Sequence, residues 1–127
     1  MGGEAIVAAA RALVGAPFRL QGRDVDGVDC VGLAALAMGA PAPEGYHLRM
    51  GDVRRAVRWV EAAGLERVAA ARPGDLALVR PAAMQLHLMI VVPGGHVHAH
   101  AGLRRVVETP GPSLWPVIGH WRVVEKG

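Results

Sequence analysis

The side chains of this 127-residue chain best suited to covalent chemistry are one cysteine and a group of histidines. Cys30, the only cysteine, lies in "GVDCVGLAALAM". A free cysteine is ordinarily a small buried hydrophobe, but three features favour a nucleophile. Asp29 reads as the N-cap of a helix beginning at Cys30, where the helix dipole and free N–H groups favour thiolate. The preceding loop is rich in Gly and Asp, which suits exposure. Histidines follow on predicted strands, as a Cys–His pair requires. Such a pair needs a base, for which His87 and His98 are the first candidates, and a third polar group to orient it. A turn at Gly94-Gly95 would set Val91 opposite His98 and Met89 opposite His100. Side chains alternate along strands, so His87, Met89 and Val91 share a face with His96, His98 and His100. Cys30, on a helix packed against that face, is predicted to meet them. This register leaves His98 roughly 13 Å along the strand from the point opposite His87. His100 is a diagonal neighbour at about 7–8 Å, and either could orient His87.

The elements that must position these groups follow from periodicity. Ile6, Ala10, Leu13 and Val14 predict a helix over 3–14, stopped by Gly15 and Pro17. Residues 16–28 read as a loop. The Cys30 helix ends at Gly39 and Pro41, and "GAPAPEGYHLRMG" reads as a second loop. A third helix spans about 52–63, with Val53, Ala56, Val57 and Val60 on one face and Arg54, Arg55 and Arg58 pointing away. Strands follow: "DLALVR" after the turn "RPG", "LHLMIVV" and "HVHAHA" as a hairpin, "RRVVET", and "VIGHWRVV". Helices first and strands after predict one α+β domain over 1–127, its N-terminal helices packed on a central antiparallel sheet.

Composition excludes several classes. Apolar residues make up 52% of the chain, too many for disorder, and aromatics only 4%, so the core must be mostly Val, Leu, Ala and Ile. One cysteine excludes an internal disulfide framework and a multi-thiolate zinc site. No run of about 18 unbroken apolar residues predicts a membrane span. The segment "MGGEAIVAAARALVG" lacks the basic start of a secretory signal and reads as an ordinary helix, so synthesis in the cytoplasm is expected. The formal charge of +3 is nearly all arginine, scattered as on a solvated surface.

Several motifs, in order, resemble the NlpC-type cell-wall cysteine peptidases. "ARALVGAPFRLQGRDVDGVDCVGL" is similar to their G-x-P-[YF] segment, Gly-rich stretch and D-C-x-G-[LF]. "RPGDLALVR" resembles their P-G-D-L strand. "HLMIVVPGGHVHAHAG" resembles the strand opened by the base histidine and the hairpin ending in V-H-A. "RVVET" and "VIGHWRVV" resemble the phage-tail branch. The likeness covers most of the chain except about 40–68. It implies a papain-like thiol hydrolase of peptidoglycan stem peptides, commonly cutting between D-glutamate and diaminopimelate. By position it makes Cys30 the nucleophile, His87 the base and His98 the orienter, with His100 in reserve. It also implies substrate contacts at Asp29 and Phe18, no cofactor, phage-tail proteins as partners, and action at the cell wall. Phe18 stands where many members carry tyrosine, and Val31 where serine is common, so this chain lacks both hydroxyls.

Rival readings come from other classes. "HVHAH" puts three imidazoles on one strand face, and with His87 they could serve zinc. The Arg54, Arg55 and Arg58 face could meet nucleic acid, although it lacks aromatic interleaving. An inactive relative could simply bind cell wall. Other residues have plainer roles. Gly32 should allow close helix–sheet packing, and Asp75 should close the turn after Pro73-Gly74. His96 reads as a solvated hairpin residue, Trp59, Trp115 and Trp121 read as packing, and His47 and His120 carry no signal.

Overall fold

A computed structural model describes residues 2–41 and 52–124. Most of the expected loop after Gly39, including His47, lies outside the described residues. The helices are α1 (Gly3–Ala12), α2 (Cys30–Met38) and α3 (Val53–Ala62). Strands β1 (Arg23–Asp24) and β2 (Gly27–Val28) form a small hairpin. The main sheet contains β3 (Leu65–Val68), β4 (Leu76–Ala82), β5 (Gln85–Val92), β6 (Gly95–His100), β7 (Arg105–Pro110) and β8 (Val117–Val123). Its spatial order is β3-β8-β4-β5-β6-β7, antiparallel throughout. This is the expected α+β architecture, with the N-terminal helices packed on a central antiparallel sheet.

The helices bury the faces their periodicity assigns. α1 buries Ile6, Val7 and Ala10. α3 buries Ala56 and Val60 and leaves Arg54, Arg55 and Arg58 exposed. α2 is apolar nearly all round, as a helix in the centre of a core must be. It ends at Gly39, whose φ of +63° is the left-handed cap that glycine supplies most cheaply. These helices meet Leu86, Leu88, Ile90, Val97 and Ala99 in one core, on one face of the sheet. A smaller cluster of Ala77, Val79 and Met89, with Val91 and Trp115 packed on it, occupies the other face.

Several details differ from the sequence expectations. The segment read as a loop over 16–28 contains the β1–β2 hairpin, and β3 was not expected at all. β3 is an edge strand of four residues with Glu66 and Arg67 at its centre, too short and too charged for a period-2 signal. Gly32 admits the loop before β1 rather than the sheet, since a Cβ there would lie 2.0 Å from the Gly22 carbonyl oxygen. Asp75 does close its turn, accepting from the Arg72 N–H at 2.7 Å. It also takes the Arg122 guanidinium through both oxygens at 2.8 Å each, tying β8 to the start of β4.

Candidate active site

The β5–β6 hairpin turns at Pro93-Gly94, not at Gly94-Gly95 as expected. Its pairs are Val92↔Gly95, Val91↔His96 and Ile90↔Val97. Proline presets the first turn position, and Gly94 takes φ +79° at the second, the pattern of a type II turn. The register therefore shifts by two residues, which preserves the faces but slides β6 along β5. His98 now falls across from Met89 and becomes the diagonal neighbour of His87. The result is a contact of 2.9 Å between His87 Nε2 and His98 Nδ1, with ring centroids 5.0 Å apart. The distance of roughly 13 Å expected from the other turn disappears.

Cys30 reaches these rings by a route different from the expected one. The helices do not cover the histidine face. Cys30 belongs to the helix-side core, while His87 lies beyond the sheet, paired with Val79. Both nevertheless line one cleft, because the sheet forks. Past Ile90↔Val97, β5 continues with β4 and β6 continues with β7. Val91 N–H donates to the Asp75 carbonyl on the β4 side, so by alternation the Leu88 N–H points into the fork. There it lies near the Cys30 sulfur, as do the N–H groups of Val31 and of Cys30 itself, and each favours the thiolate. Through this opening Cys30, His87 and His98 line one cleft of about 560 Å³, together with Phe18, Asp29 and His100.

Asp29 caps α2 as expected, accepting the Gly32 N–H at 2.8 Å on Oδ1. Its Oδ2 accepts the Gln21 N–H at 2.7 Å, and Arg23 approaches Oδ1 at 3.4 Å. One buried carboxylate thus fixes both the helix start and the loop over the cleft. Phe18, half-buried, is held by its N–H to the Arg104 carbonyl at 2.9 Å. His100 does not bond to His87; its Nδ1 accepts the Leu103 N–H at 3.0 Å. His96, expected in solvent, is buried on the same face, since it sits mid-sheet between Val91 and Thr109. Among the described residues no three His, Cys, Asp or Glu side chains converge as a metal site. Among them, too, no helix is long and apolar enough to cross a membrane.

Trp115 is the site residue that sequence reasoning undervalued. Its ring stands edge-on to His87 and His98, with centroids at 5.6 and 5.7 Å and planes at 89° to each. Ser113 Oγ donates to the Trp115 carbonyl and accepts the Trp115 N–H, fixing the loop. No spacing rule links residue 115 to residue 87, because the link runs through a loop folded back over the sheet.

Burial dominates the electrostatics. Desolvation pushes the Cys30 thiol up to about 12, reinforced by Asp29 and opposed by the three N–H groups. The expected helix-end thiolate is therefore reversed, and burial favours the neutral thiol. Desolvation lowers His87 to about 3 and His98 to about 4, with neighbouring histidines adding to both shifts. Both imidazoles are neutral at pH 7. This has a stability consequence. Above pH 6.5 neither folded nor unfolded chain binds these protons. Below it the unfolded chain takes them up and the folded chain does not, until about pH 4 and about pH 3. Folding should therefore weaken by about 2 kcal/mol per histidine on going from pH 7 to pH 5. Urea melts at the two pH values check this, with a shallower loss expected for His98→Asn. Stability that is flat or rising towards pH 5 would contradict it.

No family model matches the chain, and no curated protein matches it. Solved structures do. The NlpC/p60 domain of the peptidoglycan hydrolase SagA superposes with a TM-score of 0.62 at 26% identity, covering 87% of this chain and 90% of that one. NlpC1 from Trichomonas vaginalis gives 0.70 at 22% identity over 94% of this chain, which spans 43% of that protein. The peptidoglycan hydrolase RipB from Mycobacterium tuberculosis gives 0.61 at 22% identity, over 97% of this chain and 65% of that one. With its sheet order and forked Cys–His cleft, the chain is a fold homologue of the NlpC/p60 cysteine-hydrolase domains.

Proposed function

We propose that residues 1–127 form one cysteine peptidase domain that hydrolyses peptidoglycan stem peptides, with Cys30 as nucleophile, His87 as base and His98 as its orienter. The observation that carries this reading is the 2.9 Å His87–His98 bond inside the cleft that Cys30 also lines. The wall substrate is supported by SagA and RipB, both described as peptidoglycan hydrolases.

The bond sets the proton positions. His87 Nε2 is engaged with His98, so Nδ1 is the nitrogen free to act as base. Its own proton then sits on Nε2 and is donated to His98 Nδ1, and His98 is protonated on Nε2. As sulfur attacks the carbonyl carbon, the thiol proton passes to His87 Nδ1. The imidazolium, steadied by His98, gives that proton to the departing amine as the C–N bond breaks. Water then attacks the thioester with His87 as base, releasing the acid and restoring the thiol. In this reading the main-chain N–H groups at the start of α2 hold the developing oxyanion; one such donor is typically worth about 2.7–4 kcal/mol. A neutral starting pair means that proton transfer accompanies attack rather than preceding it.

The finer reading is cleavage between D-glutamate and diaminopimelate, with the peptide's free amine near Asp29 and its apolar part against Phe18. Action within a phage-tail or prophage particle, alongside tail proteins, belongs to the same reading and is supported by the "RVVET" and "VIGHWRVV" segments. A purified tripeptide of L-alanine, D-glutamate and diaminopimelate tests the bond. Mass spectrometry should find free diaminopimelate and the dipeptide; an intact tripeptide after incubation with folded protein would count against this reading. His98 has its own test. His98→Ala should lower kcat about 100-fold or more with little change in KM. His98→Asn, whose Oδ1 can replace Nδ1 as acceptor, should recover most of that loss. Equal activity of the two variants would remove His98 from the orienting role.

A further inference from the structure

The third cleft histidine is held differently from the other two. His100 Nδ1 accepts the Leu103 N–H at 3.0 Å. A main-chain N–H can only donate, so Nδ1 carries no proton, and the neutral ring must carry it on Nε2. The turn is built around this edge of the ring. A Cβ at Gly102 would lie 3.0 Å from Cε1 and 3.3 Å from Nδ1, a tight contact that glycine avoids. Arg104 adopts φ +59° to complete it, a conformation non-glycine residues seldom take. The ring lines the cleft, and its Nε2–H has no protein partner among the described residues.

Asp29, the carboxylate in the cleft lining, is already engaged by the Gly32 and Gln21 N–H groups and by Arg23. The loop over residues 16–22 and the β6–β7 turn over 99–105 are joined by Phe18 N–H to the Arg104 carbonyl and by a Pro17↔Arg105 bridge. Together they carry Arg19, Arg104 and Arg105, all exposed, and no Asp or Glu. Exposed cations on loops beside a cleft attract anions towards it. From the locked donor and these arginines together, we infer that the His100 end of the cleft is a subsite for a free carboxylate of the substrate peptide, with His100 Nε2–H as the direct donor. This rests on the stem-peptide reading and narrows it: a stem peptide with its side and terminal carboxylates free is preferred over its amidated form.

Calorimetry on the Cys30→Ala protein tests binding without turnover. The probe is the tripeptide of L-alanine, D-glutamate and diaminopimelate, beside the same peptide with its carboxylates amidated. The free acid should bind at least about tenfold more tightly. His100→Phe should collapse that ratio to about twofold, while His100→Gln, which keeps a donor near the Nε2 position, should retain it. If His100→Phe does not fold by thermal melt, Arg19→Gln with Arg104→Gln supplies the second test, and the ratio should fall there too. Equal binding of acid and amide, or an undiminished ratio in folded His100→Phe, overturns the subsite. So does failure of both peptides to bind. Hydrolysis by the wild-type protein is read separately, so the peptidase reading can survive the loss of the subsite.

Discussion

Cys30→Ala is expected to lower stem-peptide hydrolysis by at least about 10⁴-fold, the scale on which a nucleophile that works as a unit with its base is lost. The protein should still fold. Removing one sulfur empties little volume, and the Asp29 cap that starts α2 does not involve the thiol. Far-ultraviolet circular dichroism and a melting curve should therefore match the wild type while product formation disappears. Retained hydrolysis would show that another group attacks the peptide. Cys30→Ser should be nearly as inactive. A hydroxyl in the same desolvated site gives up its proton even less readily than a thiol already pushed up to about 12.

The largest effect on stability is expected at Trp121, whose side chain is fully buried. It sits on β8 between Leu76 of β4 and Arg67 of β3, so it packs where the helices meet the sheet's far half. Its indole N–H reaches Glu61 of α3 at 3.4 Å, and the Arg67 guanidinium lies 5.3 Å from the ring. Trp121→Ala leaves a large cavity there and should cost about 3–5 kcal/mol, a substantial share of the 5–15 kcal/mol typical of a domain. Trp121→Phe keeps an aromatic ring and should cost less than half as much. Urea denaturation checks both. A loss below about 1 kcal/mol for the alanine variant would mean that the neighbours collapse into the space.

Much of the frame was legible because periodic burial dictates it. The apolar stripes of α1 and α3, the Asp29 cap and the Gly39 stop place the helices to within a residue or two. Alternation put His87 and His98 on one face, and parity survives a register change of two residues. The register itself was misread because Pro93, Gly94 and Gly95 offer two possible turns. Gly95 looks like a turn glycine but answers to β7, since a Cβ there would lie 2.1 Å from the Thr109 carbonyl oxygen. Thr109 is fourteen residues further along the chain, beyond any local rule the hairpin obeys on its own. The fork between β5 and β6, which lets Cys30 reach the opposite face, likewise arises from which neighbour each strand keeps. The titration of Cys30 was misread for a related reason. A helix N-terminus is visible in sequence, whereas the burial that overrides its dipole depends on β5, β6 and the Trp115 loop closing around the cleft.

A paired digest tests directly whether Cys30 is the nucleophile. Wild-type and Cys30→Ala protein are incubated with diaminopimelate-type peptidoglycan fragments, and the products are read by mass spectrometry. A new cleavage product should form with the wild type and be absent with the variant. The same product from both proteins, or none from a folded wild type, would contradict that role for Cys30.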